Sequence, residues 1–270
     1  MIPQEFLLFL IIFPFLIALL LAVTRSDKVR EMIVLVGSGL IILASLGVLL
    51  TGFDQSAVTY AIGGEIIQLL IVAAELLISL YILFVSVVSR KYAVTILGLI
   101  MAALLLLTEF TTSAGHDLVE NLFMDQFSVI MTLIIGIIGS LICVYALSYM
   151  RDYHHQHPDV PDRSGFFFST MFLFLAGMFG LVFSNNLLWL LFFWEITTLC
   201  SFLLIGYSQT TEAKNNAFWA LLINTAGGIA FAGGAFYILH TLPADHLLMT
   251  TIMGAGQVAL IPAACFGVAG

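Results

Sequence analysis

Runs of apolar residues separated by short polar turns dominate the chain. Nine such stretches can be marked, at about 4–24, 31–51, 66–88, 92–110, 126–150, 165–185, 187–207, 215–240 and 248–268. Each approaches or exceeds the roughly 20 residues that a helix needs to cross the hydrocarbon layer. The pattern predicts an all-α membrane protein with about nine transmembrane helices. The first stretch lacks the basic start and small-residue cleavage site of a secretory signal, so it reads as a retained helix. The basic residues support the segmentation. Arg25, Lys28 and Arg30 follow the first stretch, Arg90 and Lys91 the third, Arg151 and Arg163 the fifth, and Lys214 the seventh. All eight fall in alternate turns, which places the N-terminus outside and the C-terminal end inside by the positive-inside rule.

Composition agrees with this reading: 61% of the 270 residues are hydrophobic and 9% charged, against roughly 25% charged in soluble domains. The net charge of −8 therefore matters by position rather than as a total. Cys143, Cys200 and Cys265 all lie inside apolar runs without a Cys-x-x-Cys spacing, and read as packing residues. No Gly-rich nucleotide loop is present either. Neither a redox cofactor nor a bound metal is expected, and the partners expected are the lipid bilayer and other membrane subunits, not nucleic acid.

What remains is a small set of polar side chains at membrane depth, where burial must be offset by partners or water. Glu195 sits near the middle of Leu187–Tyr207, where an ionised group costs roughly 3 kcal/mol or more. Thr198, one turn later, faces the same side. Glu75 lies about halfway along the third stretch, as an ion carrier or as a protonated acid bonded to a neighbouring carbonyl. Asn224 lies mid-way along the eighth stretch, as path or as packing glue. It precedes Gly227-Gly228 and Gly233-Gly234, which would admit another backbone or a file of water. Lys214, at the inner edge of the same stretch, is either a snorkelling cation or an exit group. Glu109 reads as interfacial. In Asp117–Asp125 the acids form an interfacial lead-in to the fifth stretch, with Asp125 suited to a helix N-terminus. The run Arg151–Asp162 holds three of the six histidines beside three acids. That set reads as a solvated loop stopped by Pro158 and Pro161, with a metal site as the alternative.

A buried carboxyl suits ion transport because burial favours its neutral form while a nearby cation favours the charged one. A swing of about three pKa units supplies roughly 4 kcal/mol, comparable to the roughly 2–5 kcal/mol of moving one charge across about 100–200 mV. Such a switch needs a mobile cation, yet no Lys or Arg lies at mid-depth in any of the nine stretches.

The run from Met124-Asp-Gln-Phe-Ser to Tyr145-Ala-Leu-Ser-Tyr-Met150, then Ser184-Asn-Asn-Leu-Leu-Trp-Leu, Phe193-Trp-Glu-Ile-Thr-Thr-Leu-Cys-Ser-Phe-Leu-Leu-Ile-Gly-Tyr207 and Asn224-Thr-Ala-Gly-Gly228, resembles the antiporter-like subunits of respiratory complex I, those related to NADH dehydrogenase subunit 5. Within that family the Trp-Glu-Ile-Thr-Thr-Leu-Cys-Ser run looks most like the large membrane subunit of energy-converting [NiFe]-hydrogenases. The resemblance implies that Glu195 pairs with a lysine on a later, broken helix, and that Asp125 matches an acid the family often carries. It departs where Asn224-Thr225 stands in place of a basic residue, and where the sequence reaches Gly270 before the expected lysine. On this reading the chain is the first half of a longer subunit: residues 1–110 hold N-terminal helices with a branch-specific pair at 66–110, and residues 111–270 begin the translocating domain. The implied function is a redox-driven proton or sodium pump, with electrons handled by peripheral redox subunits of a hydrogenase or complex I-like assembly. A multi-subunit cation/proton antiporter is the alternative, and a structural anchor the third.

Overall fold

The computed structural model describes residues 4–52, 58–62, 64–111, 120–241, 248–254 and 260–269. The chain is helical almost throughout: α1 (Gln4–Val23), α2 (Asp27–Gly52), α3 (Glu65–Val88), α4 (Tyr92–Thr111), α5 (Gln126–Leu133), α6 (Ser140–Gln156), α7 (Ser164–Phe183), α8 (Leu187–Ile205), α9 (Thr211–Thr241), α10 (Met249–Gly254) and α11 (Leu260–Ala269). Two short strands, β1 (Val58–Tyr60) and β2 (Leu122–Met124), pair with each other. Seven helical spans among the described residues are long and apolar enough to cross a membrane, with α5 to α6 counted as one, and α4 contributes a shorter apolar stretch. The chain is a multi-pass membrane protein.

Of the ninth apolar stretch, the described residues form α10 and α11, and residues 255–259 lie outside them. Two expectations change. Helix α6 runs on to Gln156, past the point where Arg151 was expected to open a loop; Pro158 stops it only two residues later. Of the acidic lead-in, residues 117–119 lie outside the described residues, and the rest is strand β2 followed by Asp125. Asp125 is the N-cap of α5, its carboxylate accepting from the Ser128 backbone N–H at 2.7 Å and hydroxyl at 2.8 Å, so the capping role holds.

The chain divides into two compact units: 1–58, 124–183 and 203–215 form one; 59–123, 184–202 and 216–270 form the other. Each draws on both sides of residue 110. In the first, α1 buries Leu7, Leu10, Pro14, Ile17, Ala18 and Leu21, one face at helical spacing. Its neighbour α7 contributes Phe168, Phe172, Phe179 and Phe183 to the core, and the Ser169 hydroxyl donates to the Ala18 carbonyl at 2.8 Å. Between α5 and α6 the helix widens into a π-helical stretch, Ile134–Gly139. Gly136 lies so close to α2 that a Cβ there would fall 1.9 Å from the Ser45 hydroxyl, the close approach that small residues permit between membrane helices.

The second unit contains α3, α4, most of α8 and α9, α10 and α11. Met101, Leu105, Leu187, Leu191, Phe231, Ala232, Ala235 and Ile238 form one apolar cluster, and Ile82, Val94, Phe218 and Leu221 another. The α9 glycines serve both of their expected uses. A Cβ at Gly227 would meet the Ala269 carbonyl at 3.0 Å, and one at Gly234 would meet Phe266 at 2.8 Å, so α11 packs where side chains are missing. Gly228 instead lines a polar cavity.

One end of this unit is tied by three asparagines. Asn121 donates to the Ile62 carbonyl and accepts from the Asn186 amide, both at 2.8 Å. Asn186 also N-caps α8, its side-chain oxygen accepting from the Leu188 N–H at 2.9 Å. Asn185 donates to the Glu120 carbonyl at 2.8 Å and accepts from the Thr250 N–H at 3.1 Å. All three are buried, so the polar atoms of this junction are satisfied by protein. Replacing Asn186 by Leu removes the α8 cap and the buried bond to Asn121. A loss of about 2–4 kcal/mol is expected, read as a lowered thermal unfolding midpoint in detergent, and an unchanged midpoint would show the network to be dispensable.

Candidate functional site

Four helices of the second unit converge on Glu195. Its carboxyl is buried, at 8% exposure, and its Oε2 has no hydrogen-bond partner among the described residues. Few buried polar atoms in proteins are left so. The cavity beside it has polar groups from Glu195 and Thr198 of α8, Asn224 and Thr225 of α9 and Ser79 of α3, set among the apolar Ile82, Met101 and Trp194, with Gly98 and Gly228 completing the lining. It offers about 10 Å³ to the centre of a water-sized sphere, about the space one water requires. Carboxyl, hydroxyl and amide groups supply the two to four polar partners such a water needs.

Local sequence explains the geometry. Thr197 and Ser201, off to the side of α8, return their hydroxyls to their own helix, to the Trp194 carbonyl at 2.8 Å and the Thr197 carbonyl at 2.9 Å. Thr198, three residues after Glu195, instead borders the cavity. Trp194 stacks on Phe231 with ring centroids 6.1 Å apart, which tethers the Trp-Glu pair to α9. The structure therefore brings together Glu195, Thr198 and Asn224. Lys214 stands exposed in the first turn of α9, away from the cavity lining, which suits a snorkelling cation. Glu75 is buried on α3, one turn from Ser79. No Lys or Arg is among the residues that line the cavity. In the sequence α3 was marked only by Glu75, and α4, a plain apolar run, carried no signal that it would border the cavity.

The histidine-rich segment belongs to the first unit. His154 shares a hydrogen bond of 2.9 Å with the Tyr207 hydroxyl and lies 3.4 Å from Asp162. The Arg163 guanidinium donates to the Tyr207 carbonyl. Among the described residues no three His, Cys, Asp or Glu side chains gather as metal ligands would. Asp162 accepts from the Ser164 N–H at 2.9 Å and hydroxyl at 2.5 Å, fixing the start of α7. Desolvation pushes the Asp162 carboxyl up, but those bonds and the charges of His154 and Arg30 outweigh it, and it sits below its usual range.

The structure is that of a multi-pass helical protein with an unpaired, buried carboxyl beside a water-sized cavity. Comparison with known proteins makes this specific. Residues 110–158 match the family described as NADH-ubiquinone oxidoreductase (complex I), chain 5 N-terminus, and residues 184–260 match NADH:quinone oxidoreductase/Mrp antiporter, TM. The Na(+)/H(+) antiporter subunit A1 of Staphylococcus haemolyticus is 31% identical over 162 residues, 55% of this chain and 19% of that protein. Its counterpart in Staphylococcus aureus is 28% identical over 164 residues, 60% of this chain and 19% of that protein. The chain thus spans about a fifth of the length of these curated relatives. Both matches are to antiporter-like membrane subunits shared by complex I and the Mrp antiporters, and the chain is a multi-pass protein of the cell membrane. The second match contains Glu195, Thr198, Asn224 and the asparagine pair; Glu75 lies outside both.

Acid titration tests the Asp162 contact. A carboxyl whose folded pKa is lowered contributes stability that is fully present above its unfolded value, about 3.9, and is lost as pH falls through the folded one. Asp162→Asn is expected to be less stable than wild type at neutral pH, with the gap closing between about pH 5 and pH 2. The gap is small because the side chain is 60% exposed. Thermal unfolding of both proteins across that range checks it, and a gap independent of pH would refute it.

Proposed function

We propose that the chain is the ion-translocating part of a subunit in a multi-subunit cation/proton antiporter, with Glu195 as its proton carrier. The observation that carries this reading is the buried carboxyl with an unpaired oxygen, set in a polar cavity inside the segment that matches the Mrp antiporter family. A carboxyl in hydrocarbon holds its proton until a cation approaches, and releases it when one does. Thr198 can accept one hydrogen bond and donate another, and the Asn224 amide does the same with separate atoms, so both can hold a water in either charge state of the acid. The cation arrives from outside the cavity lining, either the transported ion or a basic group on a neighbouring part of the assembly. Residues 111–270 then form the start of the translocating domain, and other membrane subunits complete it.

A redox-driven pump is the second reading, favoured by the complex I description of the N-terminal match. It uses Glu195 in the same way but requires peripheral redox subunits, of hydrogenase or dehydrogenase type. The antiporter reading stands first because the relatives reported above are named as Na(+)/H(+) antiporter subunits. Co-purification separates the two: redox proteins with the native complex favour the pump, membrane subunits alone the antiporter.

The test of Glu195 is made on the full subunit in its assembled complex, in everted membrane vesicles. Glu195→Gln keeps the shape and removes the ionisable proton. Cation-driven proton flux is expected to fall by about a hundredfold, with Glu195→Asp retaining part of it. A wild-type flux in a normally assembled Glu195→Gln complex would leave this chain as an anchor only.

A further inference from the structure

Helix α3 hides its polar residues. Its buried positions, Ile71, Glu75, Ser79, Ile82 and Ser86, follow one another at steps of three or four and so form a single face. Gln68 extends that face by a turn and accepts from the Trp189 indole N–H at 3.3 Å, pinning α3 to α8. Toward the other end the Ser86 hydroxyl accepts from Thr95 of α4 at 3.0 Å. The opposite faces are apolar and exposed, with Leu69, Leu77, Leu80 and Phe84 on α3. From Gln68 to Ser86 the rise is about 27 Å, nearly the thickness of the hydrocarbon layer at about 30 Å. At 8% exposure the Glu75 carboxyl is turned into the protein and away from lipid, where a charge would be costly.

The second observation is independent of the stripe. Ser79 borders the very cavity into which Glu195 is set, and Glu195 Oε2 lacks a partner among the described residues. Glu75 stands one turn from Ser79, about 6 Å along the axis, a span that a glutamate side chain and one water bridge. Gly98 of α4 borders the same cavity, and a Cβ there would press on Leu83 of α3 at 3.1 Å, so the two helices sit closely where the path narrows.

The geometry points to Glu75 and Ser79 as a lateral leg of the ion path, carrying protons between the Glu195 cavity and the end of α3 remote from Arg90 and Lys91. In one step the Glu75 carboxyl gives up its proton, the Ser79 hydroxyl and a water held in the cavity each take up one proton and pass another on, and the Glu195 carboxylate receives a proton. No other bond is made or broken, and Glu75 is recharged from the end of α3. This inference rests on the proton-carrying role of Glu195. It gives the helix pair at 66–110 a part in transport rather than in docking alone.

The experiment uses the full subunit in its native assembly, with cation-driven proton movement followed by a pH-sensitive dye in everted vesicles. Glu75→Gln is expected to slow the flux by about a hundredfold, and Glu75→Asp, which keeps an ionisable proton, to recover most of it. Ser79→Val is expected to slow it about fivefold. A wild-type rate for an assembled Glu75→Gln complex, with Glu195→Gln blocked, overturns the lateral leg and leaves Glu195 as carrier; wild-type rates for both overturn both. Failure of Glu75→Asp to recover the flux shows a packing role and also overturns it. Should Glu75→Gln not assemble, Ser79→Val decides, and an unslowed rate there overturns the inference.

Discussion

Hydrocarbon offers a polar group nothing, so every such group in a membrane helix must find a partner within the protein or keep a water for itself. The polar atoms of the second unit divide along that line. At one end, Asn121, Asn185 and Asn186 spend their amides on backbone groups of four different segments. At mid-helix, Thr197 and Ser201 fold their hydroxyls back onto α8. Glu195 does neither, and its carboxyl opens on the one-water cavity. Rigidity at the asparagine junction and an unpaired acid within the helices are therefore complementary. The first fixes where α8 begins, and hence where, about two turns later, its acid must lie.

Much of this architecture was legible because a membrane helix announces itself by length and composition. The limits of α1, α7 and α8 fall within a few residues of their apolar stretches, and Glu195 stood out because nothing else in its run carries charge. Thr198 and Asn224 were also placed correctly beside it, one by helical periodicity and the other by depth. Hydropathy measures preference for oil, however, and not which helix a residue meets. It gave no warning of the π-helical stretch Ile134–Gly139, where Gly136 lies against Ser45 of α2. It said nothing of the buried roles of Asn185 and Asn186, because their partners lie about 65 residues away in sequence.

The least legible element was the α3–α4 pair. Read along the chain it looks like an addition, since the matched segments begin only at residue 110. Read through contacts, it shares a compact unit with α8 and α9, and contributes Ser79 and Gly98 to the surroundings of Glu195. A helix pair inserted merely to bind a neighbouring subunit would turn polar residues toward that neighbour or toward the membrane surface, because these are the places where they can be satisfied. On α3 the arrangement is reversed: the outward face is hydrocarbon-like, and Gln68, Glu75, Ser79 and Ser86 are turned into the protein. Burying an acid there costs stability that an alanine would not. Retention of that acid one turn from a polar cavity is most simply explained by work done at the cavity, and the same asymmetry leaves the apolar outer face of the pair free to meet lipid.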